Sequence, residues 1–329
     1  MQDTIERRTG IAAEPDGHPG KLAPSAGAGD RAAALAQVAA APGRPNLFVI
    51  GASKSGSSAL HAYLRQHPDI AMSTEKEPCF FVDPAELAQA WPIMARRACS
   101  HEPEAYLALW EGRAQARYRG EGSVYYSQAP ARSGVAARIA ASVPEARIIY
   151  VVREPVSRAI AHYWQRAKEF QERLPIERAM RENPIYRDTS DYALQLAEYR
   201  AHFAPEQIHV FAAEELRRDR HRVLDECFAW LGLPGVDYAK ADLADRHRSP
   251  PTSRRERFPF VRALRDSALW AGMRGHLPDS LVGKLRSAAT VSFDKQDVDE
   301  AAARAYLAEY LAPRRAAFEA MVGRPMDAW

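Results

Sequence analysis

Cysteine is scarce in this chain. Cys79, Cys99 and Cys227 stand far apart among 329 residues, with no CxxC pair and no metal-ligand spacing. Neither a disulfide framework nor a metal site is therefore expected, and the three read as reduced, mostly buried thiols. No apolar run approaches the roughly 20 residues of a membrane-spanning helix, so no stable membrane insertion is expected. The N-terminal MQDTIERRTG has no apolar core of the kind a signal peptide carries, which makes the cytoplasm the default compartment. Strong charge of either sign is also missing. The balance of 45 Lys+Arg against 42 Asp+Glu leaves +3. That suits an anionic ligand but falls short of a nucleic-acid footprint, and no nucleic-acid partner is expected. No internal repeat is visible, and nothing in the composition sets the oligomeric state.

What remains is a globular composition, 47% hydrophobic and 26% charged, long enough to bury a sizeable core. Residues 1–43 are rich in Ala, Gly, Pro and Asp and poor in large apolar side chains. They read as a disordered N-terminal tail, with a transient helix at most over Arg31 to Ala40. Residues 44–329 read as one folded domain. Leu47-Phe48-Val49-Ile50 is a short apolar run ending at Gly51, the pattern of a buried parallel strand. A small-residue loop follows, and then a helix that puts Leu60, Tyr63 and Leu64 on one face and stops at Pro68. Arg147 to Val152 and Ile208 to Phe211 are further strands, and another is expected near Arg119. Helical patterns cover Val156 to Phe170, Arg222 to Leu231 and Val298 to Tyr310, and the segment Arg314 to Val322 closes the chain. Strands alternating with helices predict an α/β chain: a P-loop NTPase-like three-layer fold with a central parallel sheet flanked by helices.

A strand feeding a small-residue loop that opens a helix is an anion site, because backbone N–H groups converge there on the positive end of the helix. Gly51-Ala-Ser-Lys54-Ser-Gly56-Ser57-Ser58 is similar to a Walker A loop with one difference. The Walker lysine follows the second glycine, whereas Ser57 holds that place here and Lys54 stands two residues before Gly56. This carries the ammonium to the crest of the loop and removes the support for a magnesium-nucleotide arrangement.

The variant loop and three later segments resemble one family. FVIGASKSGSSALHAYLRQHPDI is similar to the 5′-phosphosulfate loop of sulfotransferases that use 3′-phosphoadenosine 5′-phosphosulfate (PAPS), of form KxGTT or KxGSS followed by LxxYLxxHPxI. RIIYVVREPVSRAIAHYWQ resembles their second signature, which holds the 3′-phosphate. Lys76-Glu77-Pro78-Cys79-Phe80-Phe81 resembles the KExxFF segment of the glycan (heparan-sulfate-type) branch. YALQLAEYRAHFAPEQIHVFAAEELRRD is similar to a further family stretch. The resemblance runs from about residue 46 to Trp329.

The resemblance implies roles residue by residue. Lys54 stabilises the leaving phosphate, and Ser55, Gly56, Ser57 and Ser58 bind the 5′-phosphate. Arg153 pairs with the 3′-phosphate, a task suited to a planar guanidinium. Glu77 is the general base toward an acceptor hydroxyl or amine, where the small-phenol branch generally uses a histidine. The chain departs from the family at two places: Ala161 stands where a serine usually contacts the 3′-phosphate, and Gly122 where the glycan enzymes commonly carry a lysine. The family's lysine–glycine donor loop near the C-terminus is not obvious, and Arg254, Arg255 and Arg257 are the candidates to substitute for it. The implied co-substrate is PAPS and the product PAP, with no metal; the implied partner is a small-molecule or glycan acceptor, carbohydrate foremost. A lipid or secondary-metabolite hydroxyl is the alternative acceptor, and a P-loop kinase-like enzyme or a non-catalytic nucleotide-binding protein the alternative class. The acceptor cleft is expected from loops near 83–120, 171–190 and 245–290.

Overall fold

The computed structural model describes residues 28–113, 115–169, 171–238, 252–256, 290–294 and 298–329. Its centre is a five-stranded sheet in the order β2 (Ile70–Met72), β3 (Tyr118–Gly122), β1 (Leu47–Gly51), β4 (Arg147–Val152), β5 (Ile208–Ala212). Every neighbouring pair is parallel, with Leu47 opposite both Gly120 and Arg147. All five residues of β1 are buried, as expected of a strand covered on both faces.

Alternation along the strands divides the core in two. Phe48, Ile50, Ile148, Tyr150 and Val152 pack on one side, with Phe80, Phe81 and Tyr106. Leu47, Val49, Ile149 and Val151 pack on the other, with Leu60, Leu64 and Phe228. Two covered faces make three layers, as expected. A third cluster joins Ile160, Tyr163, Trp164, Met180 and Tyr186 to Leu307 and Leu311 of the C-terminal helix.

Parallel strands end at one edge. The chain leaves β1, lying between β3 and β4, at the position where open α/β sheets form their ligand crevice. The segments carrying Lys54, Glu121 to Ser123 and Arg153 all emerge along that edge.

Two expectations change. The stretch Ala28–Ala40, expected within a disordered tail, is a helix, α1. Its apolar face packs on the core: Val38 is fully buried, and Ala34 and Leu35 pack on the same cluster as Ile139. Residues 1–27 lie outside the described residues. The C-terminal segment, expected as two pieces, is one helix, Ala301–Val322, that runs through Pro313. A proline removes one N–H from the ladder, and the burial of Leu307, Leu311 and Phe318 on either side of it keeps the helix continuous. A short antiparallel pair, β6 (Thr252–Glu256) with β7 (Thr290–Asp294), makes up the remaining strands among the described residues. Among the described residues, no helix is long and apolar enough to cross a membrane.

Candidate active site

The loop after β1 is shaped by three residues with positive φ: Gly51 (141°), Lys54 (69°) and Gly56 (88°). A Cβ at Gly51 would overlap Ser127 Oγ, so only glycine fits there. Gly56 is the left-handed N-cap of α2 (Ser57–Leu64), and a Cβ on it would face open space. Lys54 adopts its left-handed conformation without being glycine, a local cost of about 1–3 kcal/mol of the kind that gathers at functional sites. Ser55 is buried, and its Oγ has no hydrogen-bond partner among the described residues. An orphaned hydroxyl beside the free N–H groups of a helix start fits a phosphate oxygen.

Arg153 reaches this loop from the end of β4. Its NH1 donates to the Lys54 carbonyl at 3.3 Å, and its Nε lies 3.9 Å from Glu214. Tyr192 hydroxyl donates to the Arg153 carbonyl at 2.7 Å. Burial, then Arg217, lowers the Arg153 pKa, a strain that an anion would relieve. The helix Pro155–Lys168 that follows is capped by Glu154, whose carboxylate accepts from Val156 and Ser157 N–H. Inside it, Arg158 is fully buried and donates to Ser190 Oγ (2.6 Å) and Tyr186 O (2.6 Å). That makes it a structural tie between helices, not a ligand group.

Glu77 follows β2. Its N–H donates to Gly122 O at 3.0 Å, its Oε2 accepts from Val124 N–H at 2.7 Å, and its Oε1 pairs with the Lys76 ammonium. The departure at Gly122 gains a structural meaning here. A Cβ at that position would sit 3.6 Å from Lys76 Cε, so Lys76 runs over the place where the family carries its lysine. His61 and His67 are buried. His67 Nδ1 accepts from Asp69 N–H at 3.1 Å and its Nε2 lies 2.9 Å from Pro234 O, so Nε2 carries the proton. Burial, then Lys76 and Arg65, pushes His61 down to about 3.

Beside the loop, at Val124 whose N–H binds Glu77, lies a small polar cleft lined by Ser53, Val124, Tyr125, Arg132, His162 and Arg166 among others. Of the expected acceptor loops, Gln171 is the one described residue in this lining, and 245–251 and 257–289 lie outside the described residues; the walls come from the segment after β3 and from the Pro155–Lys168 helix. The Tyr125–Tyr126 pair splits: Tyr126 is core, and Tyr125 lines the cleft, stacked on Trp91 at 5.6 Å. Arg132 and Arg166 form no ion pair among the described residues, and burial lowers the Arg132 pKa. His162 is buried and held neutral by burial and by the charges of Arg158, Arg166 and Lys54. The Lys54 charge is thus felt at the cleft. Sequence reasoning placed neither arginine at the site, since neither stands in a motif.

The backbones of Arg254 and Arg255 lie in β6, opposite Ser292 and Val291. Their side chains, and Arg257 altogether, lie outside the described residues. No group of three or more His, Cys, Asp or Glu side chains that could hold a metal occurs among the described residues.

One buried carboxylate titrates unusually. Burial lifts Glu121 to about 7, against the lowering effect of hydrogen bonds from Tyr106, Ser123 and Tyr126; its other titratable neighbours are Glu77, Cys79 and Tyr199. The unfolded carboxyl ionises near its ordinary 4.5. Between these values the folded chain holds a proton that the unfolded chain has released. Stability therefore falls as pH rises from about 4.5 to about 7, and this contribution levels off above that. Denaturant midpoints measured across the window should converge on those of Glu121→Gln as pH falls, relative to their separation at pH 8. A constant separation would count against the shift.

Together the sheet edge and the loop define a P-loop-like α/β protein in which Lys54 and Arg153 stand close together at the end of the sheet. Residues 45–237, more than half of the chain, match the model of the sulfotransferase family. The chain belongs to the sulfotransferase family and is a transferase. It is 32% identical to human (Homo sapiens) heparan sulfate glucosamine 3-O-sulfotransferase 6 over 39% of this chain and 33% of that protein. It is 27% identical to human bifunctional heparan sulfate N-deacetylase/N-sulfotransferase 3 over 62% of this chain and 24% of that one. The chain thus spans a third or less of either relative. The solved sulfotransferase from Alicyclobacillus acidocaldarius is 26% identical with a TM-score of 0.58, covering 87% of this chain and 98% of that one.

Proposed function

We propose that this chain moves the sulfuryl group of PAPS to a hydroxyl or amine of a carbohydrate acceptor and releases PAP. The observation that carries the reading is the contact of Arg153 with the Lys54 carbonyl, which joins two separate cationic motifs into one site. A donor with phosphate groups at two ends calls for such a pair. Glu77 accepts from the N–H of Val124, and Val124 lines the adjacent cleft, which supports Glu77 as the group that faces the acceptor.

In this reading Ser55, Gly56, Ser57 and Ser58 hold the 5′-phosphate and Arg153 the 3′-phosphate. Glu77 takes the acceptor proton, the acceptor oxygen or nitrogen bonds to sulfur, and the bond from sulfur to the bridging oxygen breaks. Lys54 neutralises the charge that gathers on that oxygen. Positioning and neutralised charge supply most of the acceleration, as in phosphoryl transfer. The heparan sulfate relatives support a carbohydrate acceptor. Arg132 and Arg166, half-buried beside the cleft and in no ion pair among the described residues, suit one that carries acidic groups.

The test pairs binding with transfer. PAP should raise the melting temperature, with ATP and magnesium raising it less. Labelled PAPS, offered with heparan-type oligosaccharides, neutral polysaccharides and simple alcohols, should pass label to a glycan. Stabilisation by ATP with magnesium but not by PAP would end the sulfotransferase reading in favour of a kinase-like one. Label passing to alcohols alone would move the acceptor to a lipid or metabolite hydroxyl.

A further inference from the structure

Glu77 and Cys79 adopt left-handed backbone conformations, at φ 64° and 57°. Residues with side chains avoid that region, and such conformations persist only where the surroundings over-determine them. The constraint comes from behind the segment.

Glu121, on β3, has no exposed surface. Its Oε1 accepts from Tyr126 hydroxyl at 3.0 Å and from Tyr106 hydroxyl, and its Oε2 accepts from Ser123 Oγ at 2.9 Å. Two of those hydroxyls reach onward. Ser123 Oγ accepts from Cys79 N–H at 3.1 Å, and Tyr126 hydroxyl accepts from Phe81 N–H at 3.2 Å. A hydroxyl has one proton and two lone pairs. Committing each proton to the carboxylate turns the lone pairs toward the two backbone amides on either side of Phe80. The carbonyls of the same stretch are held from outside: Arg138 Nε donates to Phe81 O at 2.7 Å, and Arg31 of α1 donates to Phe80 O.

We propose that Glu121 is a positioning residue for Glu77, orienting the Ser123 and Tyr126 hydroxyls so that they fix the strained 77–81 turn and aim the Glu77 carboxylate at the cleft. The proposal rests on the reading of Glu77 as the general base. The ionised carboxylate, which prevails above about pH 7, is suited to the task because it accepts from several hydroxyls at once and directs each proton inward, so the exchange comparison belongs at pH 8. An apolar side chain of the same volume would leave those hydroxyls free to rotate away from the amides.

Two variants test it: Glu121→Gln, which presents a donor where one hydroxyl now donates, and the double change Ser123→Ala with Tyr126→Phe, which deletes the relay. Hydrogen exchange over residues 77–82 should accelerate about tenfold or more in at least one of them, with β1 and β4 protected as in the wild type. In that variant, turnover of labelled PAPS with an accepting glycan should fall about tenfold or more at unchanged KM for PAPS, since small misplacements of a catalytic group are costly. Wild-type exchange at 77–82 in both variants would overturn the proposal, as would acceleration spread evenly over the sheet or a loss lying wholly in the KM for PAPS. Exchange needs no turnover. Failure of the wild type to bind PAP would therefore strike the donor reading while leaving the exchange comparison decisive for Glu121.

Discussion

Glutamine at position 77 should lower sulfate transfer by about two to four orders of magnitude, the range that general base catalysis contributes, while PAP stabilises the variant as it does the wild type. The substitution keeps the side-chain volume and retains an oxygen to accept from Val124 N–H, so the turn stays formed. It loses the lone pair that takes the acceptor proton and the charge that pairs with Lys76. Transfer of label from PAPS to an accepting glycan, measured beside a thermal shift with PAP, separates the two effects. Turnover equal to the wild type would remove Glu77 as the base. Loss of PAP stabilisation would instead mark Glu77 as part of the donor site.

Lys54→Ala should damage both binding and turnover. Charge-assisted contacts to a phosphate are each worth about 1.5–3 kcal/mol, so PAP affinity should drop about tenfold or more. Loss of one group that stabilises developing charge costs about 10²–10³ in turnover. Titration of PAP by calorimetry and single-turnover transfer with saturating PAPS measure the two separately. The left-handed backbone at position 54 remains in the alanine variant, so strain is not relieved and any loss belongs to the ammonium. Wild-type turnover at saturating PAPS would show that the lysine binds the donor without acting on the leaving oxygen.

These residues were legible in the sequence because each sits in a short local pattern. The apolar run Leu47 to Ile50, the glycines at 51 and 56 and the displaced Lys54 lie within ten residues, and the β-branched Arg147 to Val152 leads straight to Arg153. Folding then supplies the contact between Arg153 and Lys54, 99 residues apart, that the motifs only suggested. Other parts left no such trace. Arg132 and Arg166 reach the cleft from separate segments and look like surface residues in one dimension. Glu121 acquires its environment from Tyr106, Ser123 and Tyr126, and nothing in YRGEG announces a fully buried acid. Helix α1 was read as a tail because its apolar content is low. Its docking depends on one buried valine and on Arg31, which stacks over Phe80 at 4.7 Å while reaching the Phe80 carbonyl. Packing on both sides of Pro313 keeps the C-terminal helix whole.

The rear attachment of the 77–81 turn has a consequence for how this chain could be diversified. The turn is anchored to the protein interior through Ser123, Tyr126, Arg31 and Arg138, whereas Tyr125, Arg132, Gln165 and Arg166 of the cleft wall take no part in holding it. Those four wall residues can therefore be rewritten, by drift or by a designed library, without dislodging Glu77 or the loop after β1. Such a scaffold separates the question of what is modified from the question of how.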